Sequence, residues 1–260
     1  MTMAIAENTP HVEKPTLLVD NVFTNGTWFG WGGGVRENAL GDNTFDFWTS
    51  TSTASAGISV DMGSPQSCDG IGIAAHNLGT VGATVQVQTS ANNSSWTTRL
   101  SVSPLTDTTI FGVFPVVSAR YWRVIITDGP FSIGVLKLGR RIIIPSGVSL
   151  GHVAANHAER IELLSNDSID GQFLNTRVIR RSGKVNLDFG IVPASFVEND
   201  MGVFEMRYNE GRAFFYAGSP LSLPKDVAYC KRPMGGSEMR PTYDGGELMT
   251  LAFEAQIYAG

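Results

Sequence analysis

The stretch Ala83-Thr-Val-Gln-Val-Gln-Thr-Ser-Ala-Asn-Asn-Ser-Ser-Trp-Thr-Thr-Arg-Leu-Ser-Val102 decides the fold class of this 260-residue chain. Within Ala83–Thr89, apolar Val85 and Val87 alternate with polar Gln86 and Gln88. That period of two puts one set on a core and the other in water, as in a half-buried strand. Asn92-Asn93-Ser94-Ser95 follows, and such side chains bond the local backbone and favour a turn. Trp96–Val102 then reads as the returning strand. The segment predicts a β-hairpin.

The same pattern extends outward. Gly57–Met62 alternates through Ile58, Val60 and Met62 and meets the breaker Gly63-Ser64-Pro65. Ile71–Ala75 is an apolar run of small residues, and Phe111–Val117, Tyr121–Thr127 and Ile133–Leu138 read as further strands, the last after an Asp128-Gly129-Pro130 turn. Short strands separated by turn chemistry predict an antiparallel sandwich or barrel. Composition agrees: charged residues are 17% against about 25% in an average soluble domain, while Gly reaches 29 and Pro 12. Hydrophobic residues at 42% supply a packed core and exclude disorder as an account of the whole.

A join is expected between Gly139-Arg140-Arg141 and Pro145-Ser146-Gly147. Beyond it, Asn175–Arg181 and Lys184–Val192 predict a hairpin turning at Ser182-Gly183. Pro193 suits a helix start, where its missing N–H costs little. Val197, Met201, Phe204 and Tyr208 then form one helical stripe ending near Gly211. Ala213–Ala217, Val227–Cys230 and Leu248–Tyr258 read as strands. The expected fold is mainly β: an N-terminal arm at 1–14, a β-sandwich at 15–140, and an α+β domain with one packed helix at 141–260.

The net charge of −5 and the lack of a basic run argue against a nucleic-acid binder held by phosphates. The longest apolar runs fall far short of the ~18 residues a membrane helix needs, so no membrane partner is expected. Met1-Thr-Met-Ala-Ile-Ala-Glu-Asn8 lacks the basic and apolar regions of a signal peptide, and synthesis in the cytoplasm is expected. Cys68 and Cys230 read as buried small hydrophobes. Arg outnumbers Lys among the 19 basic residues, a bias found where proteins dock.

Gly147-Val-Ser149-Leu-Gly151 matches the G-x-S-x-G nucleophile elbow, which needs an acid and then a His later in the chain. The histidines are His11, His76, His152 and His157, so none follows in the required order and a turn is the better reading. His152 and His157 are five apart rather than the four that pairs ligands on one helical face. Gly30-Trp31-Gly32-Gly33-Gly34 lacks the Gly-Lys-Ser/Thr of a phosphate loop. No catalytic residue, metal site or cofactor is expected. Trp28, Phe29 and Trp31, set among glycines and lacking strand alternation, read as a loop. Their rings could plug one end of the sandwich, anchor a protein contact, or stack on sugar.

Phe47-Trp48, Ile58-Ser-Val-Asp-Met-Gly63, Val85-Gln-Val-Gln-Thr-Ser90, Ser95-Trp96, Ala119-Arg-Tyr-Trp-Arg-Val124 and Ile133-Gly-Val-Leu-Lys-Leu-Gly139 together resemble, in that order, a discoidin-type (coagulation factor type C) domain over about residues 15–140. The resemblance implies an eight-stranded jelly roll whose end loops bind sugars, lipids or proteins. Gly171-Gln-Phe173, Phe214-Phe-Tyr-Ala217 and Leu248-Met-Thr-Leu-Ala-Phe253 make the whole chain similar to virion proteins of tailed bacteriophages. That second resemblance implies a non-enzymatic structural protein of the virion, in the tail tip or baseplate, with other virion proteins and copies of itself as partners. The alternatives are a carbohydrate-binding module adhering to host surface glycan, a head decoration protein, and a hydrolase of surface sugars. Trp28, Phe29 and Trp31 are the candidate contact residues.

Overall fold

A computed structural model describes residues 2–258, and of Arg180 the backbone alone. The strands up to the join are β1 (Thr2–Ile5), β2 (Thr16–Leu18), β3 (Thr27–Trp31), β4 (Trp48–Thr49), β5 (Ser55–His76), β6 (Thr84–Ser90), β7 (Thr97–Val102), β8 (Ile110–Thr127), β9 (Ser132–Gly139) and β10 (Ile142–Ile143). After it come β11 (Glu159–Asp167), β12 (Phe173–Pro193), β13 (Phe214–Ser219), β14 (Leu223–Lys231), β15 (Thr242–Gly245) and β16 (Leu248–Ile257).

The N-terminal half is a β-sandwich in which β5 and β8 serve both layers. The first leaf joins β3, the start of β5, the end of β8, β6 and β7; the second joins β4, β9, the end of β5, the start of β8, and β1. The Gly63-Ser64-Pro65 breaker does not end a strand as expected. Gly63 adopts φ +71°, a left-handed conformation that costs glycine little, and the ladder lost after Asp61 resumes at Gln66 opposite Ala119. The break is a bulge at which the strand bends from one leaf into the other. Ile58, Val60, Val87 and Trp122 of the first leaf then meet Ile71, Ile73, Phe114 and Leu136 of the second in one buried core.

The second sheet runs β10-β2-β13-β14-β16-β12-β11, with β15 paired to β16. Two expectations are corrected here. Thr16–Leu18, assigned by sequence to the sandwich, pairs with Phe215–Ala217 of the second sheet. Ser182-Gly183 is not a turn: β12 runs straight through, and Gly183 pairs with Glu159 on one side and Ile257 on the other. A Cβ at Gly183 would lie 3.0 Å from the Ile257 side chain, so glycine serves close packing there. The helix is where the stripe placed it. It extends from Ala194 to Asn209 after Pro193, with a π turn over Val197–Met201. It buries Val197, Met201, Phe204 and Tyr208 against Phe214 and Phe253.

A third apolar layer joins the halves. Ala74, Phe111, Val113 and Val135 of the second leaf pack on Leu18, Phe215, Val227 and Tyr229 of the second sheet. Behind Lys137, which donates to Ala213 O at 2.6 Å and meets Asp42 at 2.6 Å, the junction is fully buried. The order of layers is therefore leaf, leaf, sheet, helix. Among the described residues, the first leaf is the one layer of the sandwich whose outer face carries no further layer.

Candidate functional site

That free face is set by pairing register. Residues directly opposite in an antiparallel sheet point the same way. Phe29 pairs with Ser59, Ser59 with Arg123, Arg123 with Gln88 and Gln88 with Thr98, giving one row across five strands. On one side of it lies the row Trp31, Gly57, Ile125, Gln86 and Ser101, and on the other the row Thr27, Asp61, Tyr121 and Ser90. These are the polar and aromatic positions of strands whose alternate residues, Val85, Val87, Trp122 and Val124, fill the core.

The rows are locked by their own side chains. Arg123 Nε donates to Gln88 Oε1 at 2.7 Å, while Gln88 Nε2 donates to Gln86 Oε1 at 2.9 Å and Thr98 Oγ1 at 3.1 Å. The Arg123 guanidinium lies 4.0 Å from the centroid of Trp96, a stacked cation–π geometry. Arg120 grips Asp61 with two bonds of 2.7 and 2.8 Å and covers Tyr121 at 5.0 Å. That Arg120 hydrogen bond, helped by the Gly63 N–H, holds the Asp61 carboxyl down at about 2. Gly57 lets the Trp31 ring lie on the sheet: a Cβ there would fall 2.3 Å from the ring.

The result is a shallow platform of rings bordered by planar amide and guanidinium groups. Among the described bonds Arg123 uses only Nε. Rings of this kind stack on the C–H face of a sugar, and fixed planar donors and acceptors read its hydroxyls.

The structure separates the three residues singled out from the sequence, and the expected loop is a strand. Thr27–Trp31 pairs with Gly57–Asp61, so alternation holds after all. Trp28 turns inward onto the sandwich core, Phe29 is 58% exposed, and Trp31 is half-buried across Gly57. Sequence reasoning missed Arg123, Gln88, Trp96 and the Arg120–Asp61 pair as members of a site. The signal was present in the polar positions of Val85–Gln88 and Tyr121–Val124, which face the same side only once register is known.

Other candidates resolve differently. Ser149 begins a turn in which the His152 N–H donates to its carbonyl at 3.2 Å. His152 Nε2 meets the fully buried Asp226 Oδ2 at 2.8 Å, and the Tyr216 hydroxyl donates to the same oxygen at 3.2 Å. Asp226 Oδ1 accepts from the Ala155 N–H at 2.7 Å, so this cluster clamps residues 152–155 onto β13 and β14. Among the described residues no three His, Cys, Asp or Glu side chains converge as metal ligands. Cys68 and Cys230 are free and buried, and burial pushes the Cys68 thiol up to about 12.

Residues 38–124 match the family model described as NedA-like, galactose-binding domain. The N-terminal half is thus a discoidin-like β-sandwich that is similar, over these residues, to a galactose-binding domain family. No curated relative matches the chain. Among solved structures, chitosan-binding module 1 of a chitosanase/glucanase from Paenibacillus sp. IK-5 is 19% identical, with a TM-score of 0.38, covering 46% of this chain and 98% of that one. A Clostridium perfringens carbohydrate-binding module solved with GalNAc-β-1,3-galactose is 10% identical, with a TM-score of 0.38, covering 45% of this chain and 96% of that one.

Proposed function

We propose that the chain is a non-catalytic glycan-binding protein whose ligand lies on the outer face of the first leaf. The galactose-binding family match supports sugar as the ligand class. The observation that carries the reading is the paired arrangement of Trp31, Phe29 and Trp96 with Arg123 and the Gln86–Gln88 amides on one uncovered sheet face. The rings supply stacking area, and the mutually bonded side chains keep their orientation before ligand arrives, which lowers the ordering cost of binding.

Titration calorimetry with a galactose-terminated oligosaccharide, and separately with a chitosan oligosaccharide, tests this. Saturable binding to one of them is expected, weakened roughly tenfold or more, about 1.4 kcal/mol, in Trp31→Ala and in Arg123→Ala. Absence of saturable binding to any glycan on an array overturns the reading.

A second reading keeps the virion role, in a tail tip, baseplate or head decoration, for a chain made in the host cytoplasm. The observation favouring it is the exposed apolar ribbon of β11 and β12, a surface suited to assembly. Imaging of a particle that contains the chain, with its copy number, tests that role; failure to find it in any particle overturns it.

A further inference from the structure

The platform carries two guanidinium groups, those of Arg120 and Arg123, and in its three rows a single acid, Asp61. That acid is already engaged. Its Oδ1 accepts from Arg120 Nε at 2.7 Å and from the Gly63 N–H at 2.8 Å, and its Oδ2 accepts from Arg120 at 2.8 Å. Arg123 has no such partner: among the described residues it joins no ion pair. The two arginines are pushed in opposite directions for that reason. The Asp61 hydrogen bond raises the pKa of Arg120, whereas partial burial lowers that of Arg123 with no acid to oppose it.

Arg123 is nonetheless held in place, its Nε on Gln88 Oε1 at 2.7 Å and its Cζ 4.0 Å from the Trp96 centroid. Among the described residues the buried nitrogens without a partner belong to Arg36, Arg141 and His152, so those that Gln88 leaves free on Arg123 are open to solvent. Neutral hydroxyls need only neutral partners, and Ser59, Gln86, Gln88, Thr98 and Ser101 supply them in the same rows. A partly desolvated cation without a counter-charge is an unfavourable arrangement. A ligand carboxylate reverses it, because Arg meets a carboxylate with two parallel, charge-assisted bonds.

We propose that the platform prefers an acidic sugar, a uronic-acid residue, over its neutral counterpart, with the carboxylate taken by Arg123. The inference rests on the glycan reading of this face and names the class of glycan. The chain's net charge of −5 does not cancel the preference. At physiological salt, exposed charges farther than about 8 Å are largely screened, so distant acids weigh less than a guanidinium in contact.

NMR titration of the full chain tests it with three probes: methyl galactoside, the galacturonoside in which the primary alcohol is oxidised to a carboxylate, and the methyl ester of that acid. The acid is expected to bind roughly tenfold tighter than its ester, a ratio that added salt shrinks, and a cationic chitosan oligosaccharide should bind more weakly than the acid. R123Q keeps a planar donor and loses the charge, so its acid-to-ester ratio should fall to near unity, and R123K should restore part of it. In the wild type the Arg123 Nε–H resonance should shift further with the acid than with the ester. An acid that binds no better than its ester, or a ratio that survives R123Q, overturns the inference while galactoside binding leaves the glycan reading standing. Where R123Q binds neither probe, the wild-type resonance decides, and equal shifts overturn the inference. Binding to none of the three overturns it too, and an empty glycan array removes the glycan reading as well.

Discussion

Two glycines show how single residues set the site and the junction. At Gly57 the missing side chain admits the Trp31 ring, and at Gly72 it admits Phe215, whose ring would sit 2.3 Å from an added Cβ. Gly57→Ala should lift Trp31 off the sheet and weaken glycan binding as Trp31→Ala does, readable in the same titration. Gly72→Ala overpacks the apolar layer between the halves and should cost roughly 1–3 kcal/mol, seen as a lower urea midpoint with an unchanged slope. Asp61 gives a pH-dependent test. Its carboxyl is depressed from 3.8 to about 2 by Arg120 and the Gly63 N–H. A depressed carboxyl contributes stability above its unfolded value and loses it as pH falls through the folded one. An NMR titration should therefore place the Asp61 midpoint near 2, and Arg120→Ala should move it up toward the ordinary range. Of these partners, Trp31, Phe215 and Arg120 were not legible in the sequence, because each lies far along the chain from its glycine or carboxylate, whereas the Gly63 N–H is two residues from Asp61.

Elements divide by how local their cause is. The helix was readable from four residues, since Val197, Met201, Phe204 and Tyr208 need only helical spacing to share a face. Phe204 is its anchor, packed edge-on to Phe214 at 5.0 Å and tilted against Phe253 at 5.6 Å. Phe204→Ala should cost roughly 3–5 kcal/mol, measured by chemical denaturation. Strand interiors were legible through alternation, as at Val85–Gln88 and Leu187–Phe189. Their limits were not. Gly63-Ser64-Pro65 reads as an end but is a bulge, and Ser182-Gly183 reads as a turn but is the point where β12 exchanges β11 for β16. A breaker reports a local backbone allowance; whether the chain stops or bends depends on which strand lies beside it. β3 was read as a loop for the same reason, its ladder being supplied by Gly57–Asp61.

At the scale of the molecule, the division expected at residue 140 follows sequence pattern, and a strand and an apolar layer cross it. Thr16–Leu18 is a strand of the second sheet, and Leu18 belongs to the apolar layer that both halves share. Lys137 of the sandwich is 3% exposed, bonded to Ala213 O and paired with Asp42, and burial lowers its pKa while Asp42 opposes the shift. Tyr229 donates from the other side to Asp42 O at 2.9 Å. Lys137→Ala removes the bond to Ala213 O and one of the two cations on Asp42, which keeps Arg212, so it should lower stability. The loss should fall on the whole chain in calorimetry, because the layers share side chains and unfold as one transition. A fragment spanning 141–260 gives the decisive form of this prediction. It lacks the strand that covers β13 and exposes Phe215, Val227 and Tyr229 together. It should remain unfolded or aggregate unless a peptide spanning 12–24 is supplied. A fragment that melts cooperatively and gives dispersed amide resonances on its own would show that the shared strand is dispensable and that the halves are separate folding units.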